Sequence, residues 1–102
     1  MVQIVENWSD IQGEIQEVRP DPELPGHLVA TVRVSDAKPV PKPDGGEYPN
    51  LLAEATGGTV DIHVTEEAAA RQQLAAGRSV SARVRRATPT RSFADPERLT
   101  TS

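Results

Sequence analysis

The sequence predicts a mainly β chain that closes into a small barrel around one short helix. Three observations carry this. Val- and Ile-rich segments alternate with polar residues, and that two-residue period favours sheet. The stretch Gly57 to Ala87, GGTVDIHVTEEAAARQQLAAGRSVSARVRRA, reads as strand, helix, tight turn, strand. Aromatic residues are only 3% of the chain, so the core has to be Val, Ile, Leu and Ala.

A length of 102 residues sets one domain, 1–102, with surface enough to bury a single small core. In the N-terminal arm, Val2, Ile4 and Trp8 are candidates to cover a barrel end. Ile11 to Val18 is the first clear strand, with Ile11, Gly13 and Ile15 on one face. Val18 breaks the period and predicts a bulge. Gly13 inside the strand predicts a sharp bend or a close backbone approach. Arg19 to Gly26, RPDPELPG, is a proline-stiffened loop. Leu28 to Val34 follows as a hairpin partner, with Leu28, Ala30, Val32 and Val34 inward and Val29, Thr31 and Arg33 outward.

Asp36 to Asn50 holds four prolines and two glycines in fifteen residues, and predicts a long exposed loop. Its PVPKP run has polyproline II character. Pro39, Pro41, Pro43 and Tyr48 are therefore the candidate partner-binding residues, with a plain linker as the simpler alternative. Leu51 to Ala55 fits either a helical turn or a short strand.

Thr59 to Val64 is the third strand, with Val60, Ile62 and Val64 inward and Asp61 and His63 outward. Thr65 supplies an N-cap hydroxyl, and Glu66 and Glu67 suit the positive helix end. The helix is predicted over about 66–75, stopped by Gly77. Val80 to Val84 is the fourth strand. A short fifth is expected over Thr90 to Ala94, with Phe93 docked on the core, stopped by Pro96 and followed by a flexible tail. Strand, strand, strand, helix, strand and a short fifth match a small OB-like β-barrel, closed or partly open, with one short capping helix.

From Val64 the chain resembles the C-terminal half of the TOBE, or molybdate-binding (Mop-like), barrel family. The matching positions are Val64, Thr65, Leu74, Gly77, Val80, Ala82, Val84 and Arg85, and Ile11 to Ile15 is similar to the family's opening strand. The resemblance covers roughly a third of the residues. It implies a barrel and, as one option, small-oxyanion binding. The chain departs from the family's oxyanion pattern, with Asn7-Trp8-Ser9-Asp10 at the opening and Arg85 in place of a lysine.

Charge narrows the function. Residues 1–70 hold 13 acids and 4 bases, whereas residues 71–102 hold 2 acids and 7 bases. Arg78, Arg83, Arg85, Arg86 and Arg91 are the candidate nucleic-acid or anion-binding residues, because a basic groove is what a single strand or oxyanion needs. The competing expectation is that the two halves neutralise each other, with the arginines after the helix meeting Glu14 and Glu17 across strands.

Catalysis has no visible support. There is no cysteine, no G-x-S-x-G turn and no P-loop. Asp61 and His63, two apart on one face, are candidates to orient each other, but two ligands are too few for zinc. No catalytic residue, metal or cofactor is expected. No signal peptide or membrane span is expected either, and the lack of cysteine points to the cytoplasm. The function expected is a non-enzymatic binding or assembly module with a protein partner or a homo-oligomer. Single-stranded nucleic acid is the first alternative and a molybdate-like oxyanion the second.

Overall fold

A computed structural model describes residues 5–102; the expectations for Val2 and Ile4 lie outside the described residues. Five strands close into a barrel. They are β1 (Ser9–Pro20), β2 (His27–Pro39), β3 (Thr59–Thr65), β4 (Ser79–Thr88) and β5 (Arg91–Thr101). Their order around the ring is β1-β2-β3-β5-β4, and β1 pairs back onto β4. Helix α1 (Glu66–Gln72) lies between β3 and β4, and a 3-10 turn (Ala53–Ala55) precedes β3. This is the small OB-like barrel with one short helix that the sequence predicts. Among the described residues, no helix is long and apolar enough to cross a membrane.

The long β1 makes closure possible because its first half pairs with β2 and β4 together. Gly13 faces Val34 on one side and Val80 on the other. A Cβ there would sit 2.1 Å from the Arg33 carbonyl oxygen. The glycine therefore marks a backbone approach no side chain fits, as expected. The β1–β2 register shifts at Gln12/Gly13 and again between Ile15 and Glu17, just before Val18. These two bulges coil the strand.

Ile11, Ile15, Val32, Val34, Ile62, Val64, Val80 and Val84 are all buried in the core. Leu52, fully buried, enters at the start of β3, and Ala68 and Ala69 of α1 enter at its end. Val29 departs from the expected pattern: it lies on the outer face yet is buried. Its cross-strand neighbours Arg19 and His63 flank it there.

The helix starts as predicted, with the Thr65 hydroxyl accepting from Ala68 N–H. It ends sooner, at Gln72, and Gln73 takes the left-handed position (φ 53°) expected of Gly77. The early stop is stabilised from outside: Arg78 donates to the Gln72 and Gln73 carbonyls, and Thr101 Oγ1 donates to Gln72 at 2.5 Å. Gly77 instead delivers its N–H to the Ile15 carbonyl at 2.7 Å, tying the turn to β1.

The expected flexible tail from about residue 96 is instead strand. β5 runs through Pro96 to Thr101. Proline is tolerated because β5 bulges between Ala94, opposite Val84, and Leu99, opposite Ala82, so Pro96 owes no ladder hydrogen bond. The released Pro96 carbonyl accepts from Arg71 at 2.9 Å. The predicted 36–50 loop is also shorter, since β2 continues to Pro39, opposite Ser9.

Because backbone rather than a movable side chain meets the added atom, Gly13→Ala should destabilise the protein by about 1–3 kcal/mol. A urea midpoint lowered at unchanged slope would verify it.

Candidate functional site

Four of the five arginines are engaged within the chain. Arg83 reaches Asp10, directly opposite on β1, through Nε to Oδ1 at 2.9 Å and Nη2 to Oδ2 at 3.1 Å. The Asp10 hydrogen bonds, against the opposing effect of burial, and the fields of Asp10 and Asp95 hold this guanidinium above its ordinary value. Arg86 approaches Glu54 at 3.5 Å, and Arg91 pairs with Glu23. Arg78 caps the helix, as described. Among the described residues only Arg85 of the five has neither an ion pair nor a side-chain hydrogen bond. Three of the five arginines thus meet acids from earlier in the chain, but not the expected Glu14 and Glu17. The register puts Ser79, not an arginine, opposite Glu14, and Glu17 pairs with Arg19.

The outer face of β2 and β3 and the loops between β1 and β2 and between β4 and β5 hold ligands in many OB barrels. Here that region is engaged with itself. Arg19 Nη2 binds Asp61 at 3.0 Å while Nη1 binds Thr31 at 2.9 Å, and Thr31 Oγ1 donates to Asp61 at 2.6 Å. Asp61 and His63 therefore do not orient each other. His63 Nδ1 instead meets Asp21 Oδ2 at 2.5 Å, and its ring stacks on Phe93 with centroids 5.0 Å apart. Among the described residues no group of three His, Cys, Asp or Glu is placed to hold a metal ion.

The opening Asn7-Trp8-Ser9-Asp10 is likewise engaged within the chain. Asn7, buried, donates through Nδ2 to the Arg86 carbonyl and accepts Arg86 N–H on Oδ1, both at 2.9 Å. Ser9 Oγ, also buried, meets Asn50 Oδ1 at 2.5 Å, and Asn50 donates to the Ala37 carbonyl at 3.0 Å. Sequence reasoning missed this network. Its only signal was polar residues on either side of Trp8, which a loop explains equally well. An open recess of about 480 Å³ between β1, β4 and β5 mixes Lys38, Arg83 and Arg98 with Asp10 and Glu97, which is no anion cradle.

The proline segment is ordered around one buried side chain, Val40. Pro41 bridges Glu47, and Lys42 N–H donates to the Gly46 carbonyl at 3.0 Å. Gly45 and Gly46 both take positive φ (99° and 75°), which residues with a Cβ rarely adopt. Tyr48 N–H returns to the Val40 carbonyl at 2.9 Å, and Lys42 Nζ stands 5.6 Å above the Tyr48 ring. Trp8 joins this segment through its backbone N–H, which donates to the Pro49 carbonyl at 3.3 Å. A recess of about 190 Å³ results, lined by Trp8, Val40, Pro41, Pro43 and Tyr48 together with Arg83 and Asp95. Tyr48 and Pro43 also wall a second recess with Glu6, Lys42 and Asp44. Pro41, Pro43 and Tyr48 are thus brought together with Trp8, whereas Pro39 stays at the strand end.

Burial pushes the Asp21 carboxyl up, but its hydrogen bond with His63, the Leu24 N–H and the fields of His63 and His27 outweigh this, leaving it below the usual carboxylate range. A depressed folded value means that its stabilisation is complete above the unfolded value of about 3.9 and disappears as pH falls through the folded one. Asp21→Asn should lower stability near neutrality and flatten the fall below about pH 4, as read from denaturation midpoints against pH. Compared with known proteins, the chain matches no family model, no curated protein and no solved structure.

Proposed function

We propose that this barrel is a non-enzymatic protein-binding module whose contact surface is the Trp8–Tyr48 face. One observation carries the reading. The only Trp and the only Tyr of the sequence sit half-buried in one recess with two prolines. Among the described residues, neither Trp8 Nε1 nor Tyr48 Oη has a hydrogen-bond partner. Amphipathic rings with an open polar tip are the side chains that anchor protein interfaces. Glu6 borders the same face, and its neighbour Val5 is 65% exposed, the large apolar side chain left most open to solvent among the described residues.

The alternatives draw less support. Single strands need free cations beside open aromatic platforms. Four of the five arginines are engaged within the chain, and Phe93 is covered by His63. An oxyanion needs unengaged donors, and those of Asn7 and Ser9 bind inside the chain. The TOBE resemblance is accordingly proposed for the architecture alone. A cysteine-free chain suits the reducing cytoplasm, where we place the module.

Tyr48→Ala should leave the thermal midpoint nearly unchanged and weaken partner binding about thirtyfold, an anchor-sized loss of about 2 kcal/mol. The measurement is recovery of a stoichiometric partner on the immobilised chain, or light scattering if the partner is a second copy. Equal recovery by wild type and variant would refute the assigned surface. Labelled single-stranded oligonucleotide at low salt, where electrostatic binding is strongest, should not bind.

A further inference from the structure

The shape and charge of this face narrow its partner. Tyr48 and Pro43 wall both recesses, so together they form a ridge between two adjacent grooves. A polyproline II helix has three residues per turn and presents a proline about every 9 Å to such paired grooves. It also leaves its carbonyls free to accept from donors like Trp8 Nε1–H and Tyr48 Oη–H.

Charge selects further. Glu6 and Asp44 line one groove and Asp95 the other, and among the described residues none of the three is in an ion pair. Two cations line the grooves as well: Arg83 is paired with Asp10, and Lys42 stands over the Tyr48 ring, leaving the carboxylates in excess. Both grooves thus set carboxylates beside prolines and Tyr48. Electrostatic complementarity therefore favours a basic ligand.

Resting on the reading of this face as a binding surface, we infer that its occupant is an extended, proline-containing segment of a partner protein with Lys or Arg beside the prolines. The prolines fill the grooves on either side of Tyr48, and the cations face Glu6, Asp44 and Asp95.

The test is a titration of the intact chain, followed by the fluorescence of its single tryptophan. The probes are a short synthetic peptide with proline at every third position and arginines between, the same peptide with glutamates for arginines, and one with alanines for prolines. The arginine–proline peptide should shift Trp8 emission saturably, and each of the other two should bind about tenfold more weakly or worse. Tyr48→Phe should weaken it by severalfold, and Asp44→Lys with Asp95→Lys should reverse the preference between the arginine and glutamate peptides. Both variants must keep the wild-type thermal midpoint. Equal binding of all three peptides, or none at millimolar concentration, would overturn the inference. So would a dimer that buries Trp8 without peptide, since a second copy would then be the occupant. If the peptides fail while a partner is still lost on Tyr48→Ala, the surface stands and only the peptide assignment falls. If partner capture survives Tyr48→Ala, the surface itself is wrong.

Discussion

Everything in this barrel depends on β1 being paired on both edges at once. Its first half, Ser9 to Glu14, is held by β2 and β4 together and its second half by β2 alone, so the strand has to bend between them. Gly13 makes the bend sterically possible, and the two register shifts set its direction. β4 pairs with β1 in the register that sets Ser9 opposite Val84 and Glu14 opposite Ser79. That register decides which charges meet.

Pairing in the antiparallel β1–β4 ladder sets Asp10 beside Arg83, and other cations of the basic C-terminal third reach acids from earlier in the chain, Arg86 to Glu54 and Arg91 to Glu23. Each exposed or half-exposed pair contributes little, about 0–1 kcal/mol. Their larger effect is on what the surface presents: most of the arginine stripe faces outward with its charge balanced. What remains open lies elsewhere, where Trp8 and the proline segment meet at the rim.

Much of the fold was legible because it depends on local rules. The two-residue period exposed the strands, Thr65 marked the helix start, and Gly13 marked the corner. The misses share a different origin, since each is decided by a distant part of the chain. Helix α1 stops at Gln72 because Arg78 and Thr101 satisfy its last carbonyls. Pro96 continues a strand because a bulge removes it from the ladder. The acid opposite Arg83 depends on register, which alternation fixes only to within two residues. Of the candidate surface, Pro41, Pro43 and Tyr48 could be read from the prolines and the lone tyrosine. Trp8 joined them only once Val40 and Asn50 had pinned the loop.

Asn7 has a further consequence. Beyond Val84, β4 has outrun its β1 partner, leaving a backbone edge that another chain's strand would otherwise complete. The Asn7 carboxamide offers Arg86 the same donor and acceptor as a peptide group would, yet it is a single side chain and cannot be extended. It works as a terminator. The two backbone groups of Arg86 on that edge are thereby already matched within the chain.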